Sequence, residues 1–117
     1  MANPYDHAHE LARSIRASDV YQQLKEIQTE IKNNPTHQEM LDTFRRKQQE
    51  YQAYMMQGKE PTAEMTEQLQ TLMTAIQGIP ALTKYLQAEE RLGVLLNDIQ
   101  RILMEPVDEL LGKREES

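Results

Sequence analysis

Residues 80–112 read PALTKYLQAEERLGVLLNDIQRILMEPVDELLG and carry the longest uninterrupted apolar pattern at helical spacing in the chain. Steps of alternately three and four residues through this stretch trace a heptad seam. The positions on the seam are Leu82, Tyr85, Glu89, Leu92, Leu96, Ile99, Leu103, Pro106 and Leu110. A second apolar row, Val94, Leu95 and Ile102, makes the stripe wider than one helical neighbour would cover. We therefore expect a long helix that is buried on more than one side.

Shorter helices are expected before this segment. Asn3 as the N-cap and Pro4 at the first helical position predict a helix over residues 4–16. Ser18 predicts the cap of a second helix, which Asn33 and the residues after it should stop.

The third and fourth helices are predicted from their terminal residues. Thr36 and Glu39 form a capping-box pattern that would open the third helix, and Gly58 would end it. The fourth helix should begin after Thr62 and end at Gly78. The positions expected to face inward on the third helix are Met40, Phe44, Tyr51 and Met55.

Every apolar run has a helical period, and no alternating β-branched run competes with it. Connections of two to four residues favour antiparallel neighbours. The prediction is an all-α protein, an antiparallel array of about five helices with a long C-terminal helix. Residues 1–112 should form a single helical domain and residues 113–117 a disordered tail. Because Pro106 lacks the N–H that would bond to the Ile102 carbonyl, we expect a kink or a restart near Met104.

The composition excludes several classes of function. The chain of 117 residues carries 13 Lys and Arg against 19 Asp and Glu, a formal net charge of −6, which argues against nucleic acid or an anionic membrane as the main partner. It has no cysteine, which removes disulfides, thiolate nucleophiles and cysteine-held iron–sulfur clusters. With no apolar stretch long enough for a membrane span, a cytoplasmic protein is expected.

Two clusters are the candidates for chemistry. Asp6, His9 and Glu10 lie within one turn and could bind a divalent metal, or could be the polar outer face of the first helix. The basic run Arg45–Lys47 could contact RNA phosphates, but Asp42 is placed to pair with its arginines, and a solvated helix face is the alternative. No motif for catalysis or for cofactor binding accompanies them, so we expect no enzymatic site, no cofactor and no metal.

The long helix supplies the expected interaction surface. It outruns its predicted neighbours, and an exposed leucine seam on the overhang would be a large apolar patch for a monomer. We expect a homodimer or a higher oligomer. Glu89 would be costly on the seam unless a cation or hydroxyl from another helix or subunit satisfied it; a carboxylate that reaches solvent is the alternative. The predicted interface residues are Leu92, Leu96, Ile99, Leu103 and Glu89.

Residues 88–112, AEERLGVLLNDIQRILMEPVDELLG, resemble the C-terminal signature of the YlbF/YmcA-like family of small helical bacterial proteins, and are most similar to its YheA type. Residues 3–26, NPYDHAHELARSIRASDVYQQLKE, are similar to the opening pair of helices of that family. Residues 44–60, FRRKQQEYQAYMMQGKE, match its middle helix and turn. The resemblance extends over essentially the whole chain.

The resemblance implies an all-α, oligomeric, non-enzymatic protein. YlbF and YmcA act with YaaT as a regulatory complex that influences RNA maturation through RNase Y, and thereby competence, sporulation and biofilm formation. Those relatives are associated with cysteine-bound iron–sulfur clusters, which this chain has no cysteine to bind. What carries over is a homo-oligomeric interaction or regulatory protein whose partners would be itself and a further regulatory protein. A metal-binding helical protein using Asp6, His9 and Glu10, and an RNA-associated adaptor, are the alternatives.

Overall fold

The computed structural model describes residues 3–112, which form five α-helices. The helices are α1 (Pro4–Ala17), α2 (Asp19–Lys32), α3 (Pro35–Met56), α4 (Ala63–Gln77) and α5 (Pro80–Leu111). The prediction of an all-α antiparallel array with a long C-terminal helix is confirmed. The expected tail, residues 113–117, lies outside the described residues.

The first two helices are separated by Ser18 alone. Its hydroxyl donates to the Ile15 carbonyl oxygen at 2.6 Å, and the hydroxyl oxygen accepts from the Tyr21 amide at 3.2 Å. One side chain thus satisfies a terminal acceptor of α1 and a terminal donor of α2. At the start of α1, the side-chain oxygen of Asn3 accepts from the Asp6 amide at 2.9 Å, as the sequence predicts.

The start of α3 differs from the prediction. Asn34 is the N-cap, and its side-chain oxygen accepts from the His37 amide at 3.2 Å. The capping box of Thr36 and Glu39 is therefore wrong. Pro35 takes the first helical position, for which its fixed φ is suited, so the helix has already begun when the chain reaches Thr36.

The end of α3 is at the predicted place, but its last turn faces solvent. Gly58 follows with a φ of 79°, a left-handed conformation that a residue without Cβ adopts readily. Met55, expected to face inward, is 53% exposed. The 22 residues of α3 outrun the 15 residues of α4, which leaves this turn without a neighbour. The linker of residues 57–62 is also longer than expected.

The core lies beside the first half of α5. Helix α2 packs against α5 and α3, and α4 packs against α3 and α5. Leu41, which the periodicity did not place inward, is 1% exposed, while Ile76 and Leu82 are fully buried. The core cluster consists of Ile31, Leu41, Phe44, Ile76, Leu82 and Tyr85.

Helix α5 is one continuous element of 32 residues, about 48 Å long. The helix does not restart near Met104, since it runs through Pro106 without interruption. The kink expected there stays a prediction. The residues around Pro106 are exposed, so the carbonyl that the proline leaves without a donor is open to water. The helix ends at Leu111, and Gly112 caps it with a φ of 72°.

The molecule is elongated. Its principal extents are 53 × 38 × 22 Å and its radius of gyration is 18.7 Å. A compact chain of this length would have a radius of gyration of about 13 Å. The accessible surface is 9348 Å², against about 6,600 Å² for a compact monomer of this mass. A large part of α5 therefore lies outside any shared core.

Candidate self-association surface

The second half of α5 presents apolar side chains to solvent. Leu110 is 86% exposed, Leu103 62% and Leu96 45%. We call the apolar surface of this segment the C-terminal stripe. Its members are Leu96, Ile99, Ile102, Leu103, Met104, Val107, Leu110 and Leu111. Seven of these eight are exposed and Ile99 is half-buried, so the stripe is a continuous apolar surface along about four turns of helix.

The stripe is wide as well as long. Ile102, Leu103 and Met104 follow one another and are 58%, 62% and 45% exposed. At about 100° per residue, the three side chains span roughly 200° of the helix circumference. An amphipathic helix that packs on one core shows an apolar arc of about 100° or somewhat more. The C-terminal stripe therefore has room for two neighbouring helices.

Helix α2 covers α5 only as far as Asp98. Arg91 donates to the Gln23 side chain of α2 at 3.3 Å. Val20, in the first turn of α2, lines a groove with Leu95 and Asp98 of α5. Every residue over positions 100–107 is exposed, so the stripe emerges where α2 ends.

The predicted interface residues fall into two groups. Leu96, Ile99 and Leu103 lie together in the stripe. Leu92 is half-buried at its inner end, beside the part of α5 that α2 covers. That these side chains form an interface between copies stays a prediction.

Glu89 has its partners within the chain. Its carboxylate accepts from the guanidinium of Arg45 on α3 and from the Tyr85 hydroxyl at 3.4 Å. Arg45 also donates to the Tyr85 hydroxyl at 2.6 Å and lies 5.3 Å from the centre of the Tyr85 ring. Of the partners considered from the sequence, the structure supplies a cation from another helix, so the seam carboxylate is not left unpaired.

The network holds Arg45 in its charged form. Burial lowers the pKa of Arg45, but the hydrogen bond to Tyr85 and the charges of Glu89 and Asp42 raise it by more, so that the pKa lies above its ordinary value. The guanidinium is therefore a permanent cation between α3 and α5.

The basic run does not form one patch. Arg45 faces α5, Lys47 donates to the Gln68 side chain of α4 at 3.1 Å, and Arg46 is exposed. The expectation of a wholly solvated face paired with Asp42 is therefore wrong for Arg45. Asp42 itself accepts from Gln38 at 3.0 Å.

The acidic and histidine cluster on α1 is placed on the surface. Asp6, His9 and Glu10 are all exposed. Within residues 3–112, no group of three or more His, Cys, Asp or Glu side chains is arranged to hold a metal ion. In the described part of the chain, these three side chains therefore do not form a set of metal ligands. None of the helices described is long and apolar enough to cross a bilayer.

Several stripe residues were absent from the predicted interface. Ile102, Met104, Val107 and Leu110 are exposed beside it. The three consecutive apolar residues at 102–104 were the available signal, since an ordinary amphipathic helix does not need apolar side chains on three sides.

Comparison with known proteins identifies one protein family. The family model for control of competence regulator ComK, YlbF/YmcA, matches residues 5–108. A UPF0342 protein from Symbiobacterium thermophilum is 40% identical over 104 residues, which are 89% of this chain and 93% of the relative. A UPF0342 protein from Alkalihalophilus pseudofirmus is 36% identical over 115 residues, 98% of each chain.

Two solved structures share the fold. A protein of unknown function (DUF964) from Bacillus stearothermophilus superposes with a TM-score of 0.77 at 27% identity, covering 91% of this chain and 93% of that one. The structure of yheA from Bacillus subtilis gives a TM-score of 0.68 at 24% identity, with 93% and 99% of the two chains covered. The chain therefore belongs to the YlbF/YmcA family, described as control of competence regulator ComK, and shares the fold of yheA.

Proposed function

We propose that the protein is a non-enzymatic helical regulator of the cytoplasm that acts as a homodimer formed through the C-terminal stripe. The observation that carries the proposal is the exposure of the stripe, in which Leu103 and Leu110 are 62% and 86% exposed. Contiguous apolar patches larger than a few hundred Å² mark interaction sites on soluble proteins.

The geometry of the seam suits a second copy of the same chain. Leu96 and Leu110 are each seven residues from Leu103. Two stripes packed antiparallel, with Leu103 at the two-fold axis, would therefore place Leu96 of each copy against Leu110 of the other. A two-fold interface requires this self-complementarity.

The area available is sufficient for a stable dimer. The chain exposes 9348 Å², roughly 2,700 Å² more than a compact monomer of its mass. A stable interface buries about 1,200 to 2,000 Å² in total, shared between the partners. Each copy would have to cover about 600 to 1,000 Å², which is less than its surplus of exposed surface.

The regulatory part of the proposal rests on the family. Its description names the control of a competence regulator, and the relatives reported above carry no enzymatic name. We propose that the dimer acts by presenting helical surfaces to a further regulatory protein. Such a role needs packing surfaces rather than catalytic side chains.

Substitution within the stripe tests the dimer. Leu96→Asp would place a carboxylate in the apolar interface, where an unpaired charge is costly. Met56→Asp is the matched control, because Met56 is 88% exposed and lies at the end of α3. We expect analytical ultracentrifugation to show a monomer for Leu96→Asp and a dimer for Met56→Asp. A dimer that tolerates Leu96→Asp would contradict the proposal.

The regulatory role is tested in the host cell. Replacing the chromosomal gene by the Leu96→Asp form should change expression of competence genes as much as deletion does, whereas Met56→Asp should leave it unchanged. If deletion itself leaves these genes unaffected, the regulatory part fails even where the dimer is found.

A further inference from the structure

Helix α1 also has an apolar face without sufficient cover. Tyr5 is 78% exposed, and Leu11, Ala12 and Ile15 are half-buried. No residue of α1 is buried, and among the described residues its packing is against α2. A helix of 14 residues is only marginally stable alone in water, so helices of this length depend on packing of an apolar face.

The two uncovered surfaces match in length. Helix α1 has 14 residues, about 21 Å. The part of α5 from Asp98, where the cover by α2 ends, to Leu111 is about 20 Å long. The arc of roughly 200° over residues 102–104 is also too wide for one neighbour. A second α5 would leave one side of the stripe open.

An antiparallel dimer brings these surfaces together. With Leu103 at the axis, Leu110 reaches Leu96 of the other copy. Leu96 adjoins the groove where Val20 of α2 meets Leu95. This groove is close to the last turn of α1, because Ser18 alone joins α1 to α2.

The charges of the two surfaces are complementary. Residues 102–111 contain Glu105, Asp108 and Glu109 and no Lys or Arg. Residues 11–17 contain Arg13 and Arg16 and no acid. With Leu103 at the axis, Asp108 of one copy would lie opposite Asp98 of the other, and basic residues beside them would offset the repulsion.

We propose that, in the dimer on which this inference rests, the C-terminal turns of α5 of each copy dock on the apolar face of α1 of the other copy, with Arg16 beside the acidic residues of α5. The interface then consists of four helices, two α5 ends and two α1 helices. This docking would cover the second side of the stripe and the face of α1 at once.

A cysteine-free chain allows a direct test by cross-linking. Leu110→Cys is prepared in one copy and Ala12→Cys in a second, size-tagged copy, and the mixture is treated with a short bismaleimide. Ser14→Cys replaces Ala12→Cys in the control, because Ser14 lies two residues away on the opposite, exposed face of α1. We expect a covalent heterodimer from Ala12→Cys and at least a several-fold lower yield from Ser14→Cys.

The outcomes separate the two proposals. Equal yields from Ala12→Cys and Ser14→Cys, with both mixtures dimeric by ultracentrifugation, would overturn the docking on α1 and leave the homodimer intact. Mixtures that are monomeric would overturn both. Circular dichroism of each variant should show the same helical signal as the unmodified protein, so that only folded chains are compared.

Charge exchange gives a second readout. Arg16→Glu and Glu109→Arg should each raise the dimer dissociation constant by about 2- to 30-fold, because an exposed ion pair of this kind would occur twice in the dimer. The two substitutions combined should return it toward the original value. Additive weakening in the double variant would contradict the proposed proximity of α1 and the end of α5.

Discussion

Arg45 and Glu89, 44 residues apart in the sequence, form an ion pair that joins α3 to α5. The pair is the reason that a carboxylate is tolerated on the apolar seam of α5. Tyr85 completes it by accepting from Arg45 and donating to Glu89. Each of the three polar groups therefore has a partner at the edge of the core.

Removal of Arg45 should destabilise the fold modestly. We expect Arg45→Met to lower the free energy of unfolding by about 0.5 to 1 kcal/mol, because the pair is half-exposed and screened by solvent. Arg46→Met, at the exposed neighbouring position, should change it by less than about 0.5 kcal/mol. Urea denaturation at one fixed protein concentration measures both, and equal losses would contradict the assignment.

The contribution of Arg45 should not depend on pH in the neutral range. Its pKa is raised above its ordinary value, so the stabilisation is fully present below the unfolded-state pKa and is lost only as the pH rises through the higher folded-state value. The difference between the unmodified protein and Arg45→Met should be the same at about pH 6 and pH 9. A loss of the difference by pH 9 would show that the guanidinium is not the group responsible.

The start of α3 offers a test between the two caps. Asn34→Ala should lower the free energy of unfolding by about 1 kcal/mol, the usual cost of losing an N-cap side chain. Thr36→Ala should cost much less, since its hydroxyl does not cap the helix. If Thr36→Ala lowered the free energy of unfolding more than Asn34→Ala did in thermal or urea unfolding, the result would support the capping box of Thr36 and Glu39 instead of the Asn34 cap.

Truncation in the core should be costly. Leu82 is fully buried, and Leu82→Ala should lower the free energy of unfolding by about 2 to 5 kcal/mol. Met56→Ala, at a position 88% exposed, should change it by less than about 0.5 kcal/mol. Similar values for the two variants would mean that the core lies elsewhere.

The number and type of helices could be predicted because their ends are coded locally. Asn3, Ser18, Thr62 and Gly58 fix helix termini through hydrogen bonds or backbone conformations that involve only near neighbours in the sequence. The start of α3 was predicted wrongly because two capping patterns lie next to each other there, and Asn34 rather than Thr36 is the N-cap. The restart of the helix near Pro106 was wrong because the cost of a proline inside a helix depends on whether water can reach the carbonyl oxygen that it leaves free.

The candidate site was only partly predictable for a different reason. The seam identified Leu96, Ile99 and Leu103, but how far α2 covers α5 depends on tertiary packing. The partner of Glu89 was likewise 44 residues distant, and no periodicity of α5 contains Arg45. Both features depend on contacts between residues that are far apart in the sequence, so only the three-dimensional structure reveals them.

The mass of the unmodified protein in sedimentation equilibrium at micromolar concentration decides whether the C-terminal stripe binds a second copy. The exposed stripe on α5 predicts a dimer, twice the 13.7 kDa of the chain. It also predicts that Leu103→Ala raises the dissociation constant at least tenfold, because burying a leucine at the axis in both copies contributes about 2 kcal/mol or more. A monomer of 13.7 kDa at this concentration would contradict the claim that the C-terminal stripe is a self-association surface.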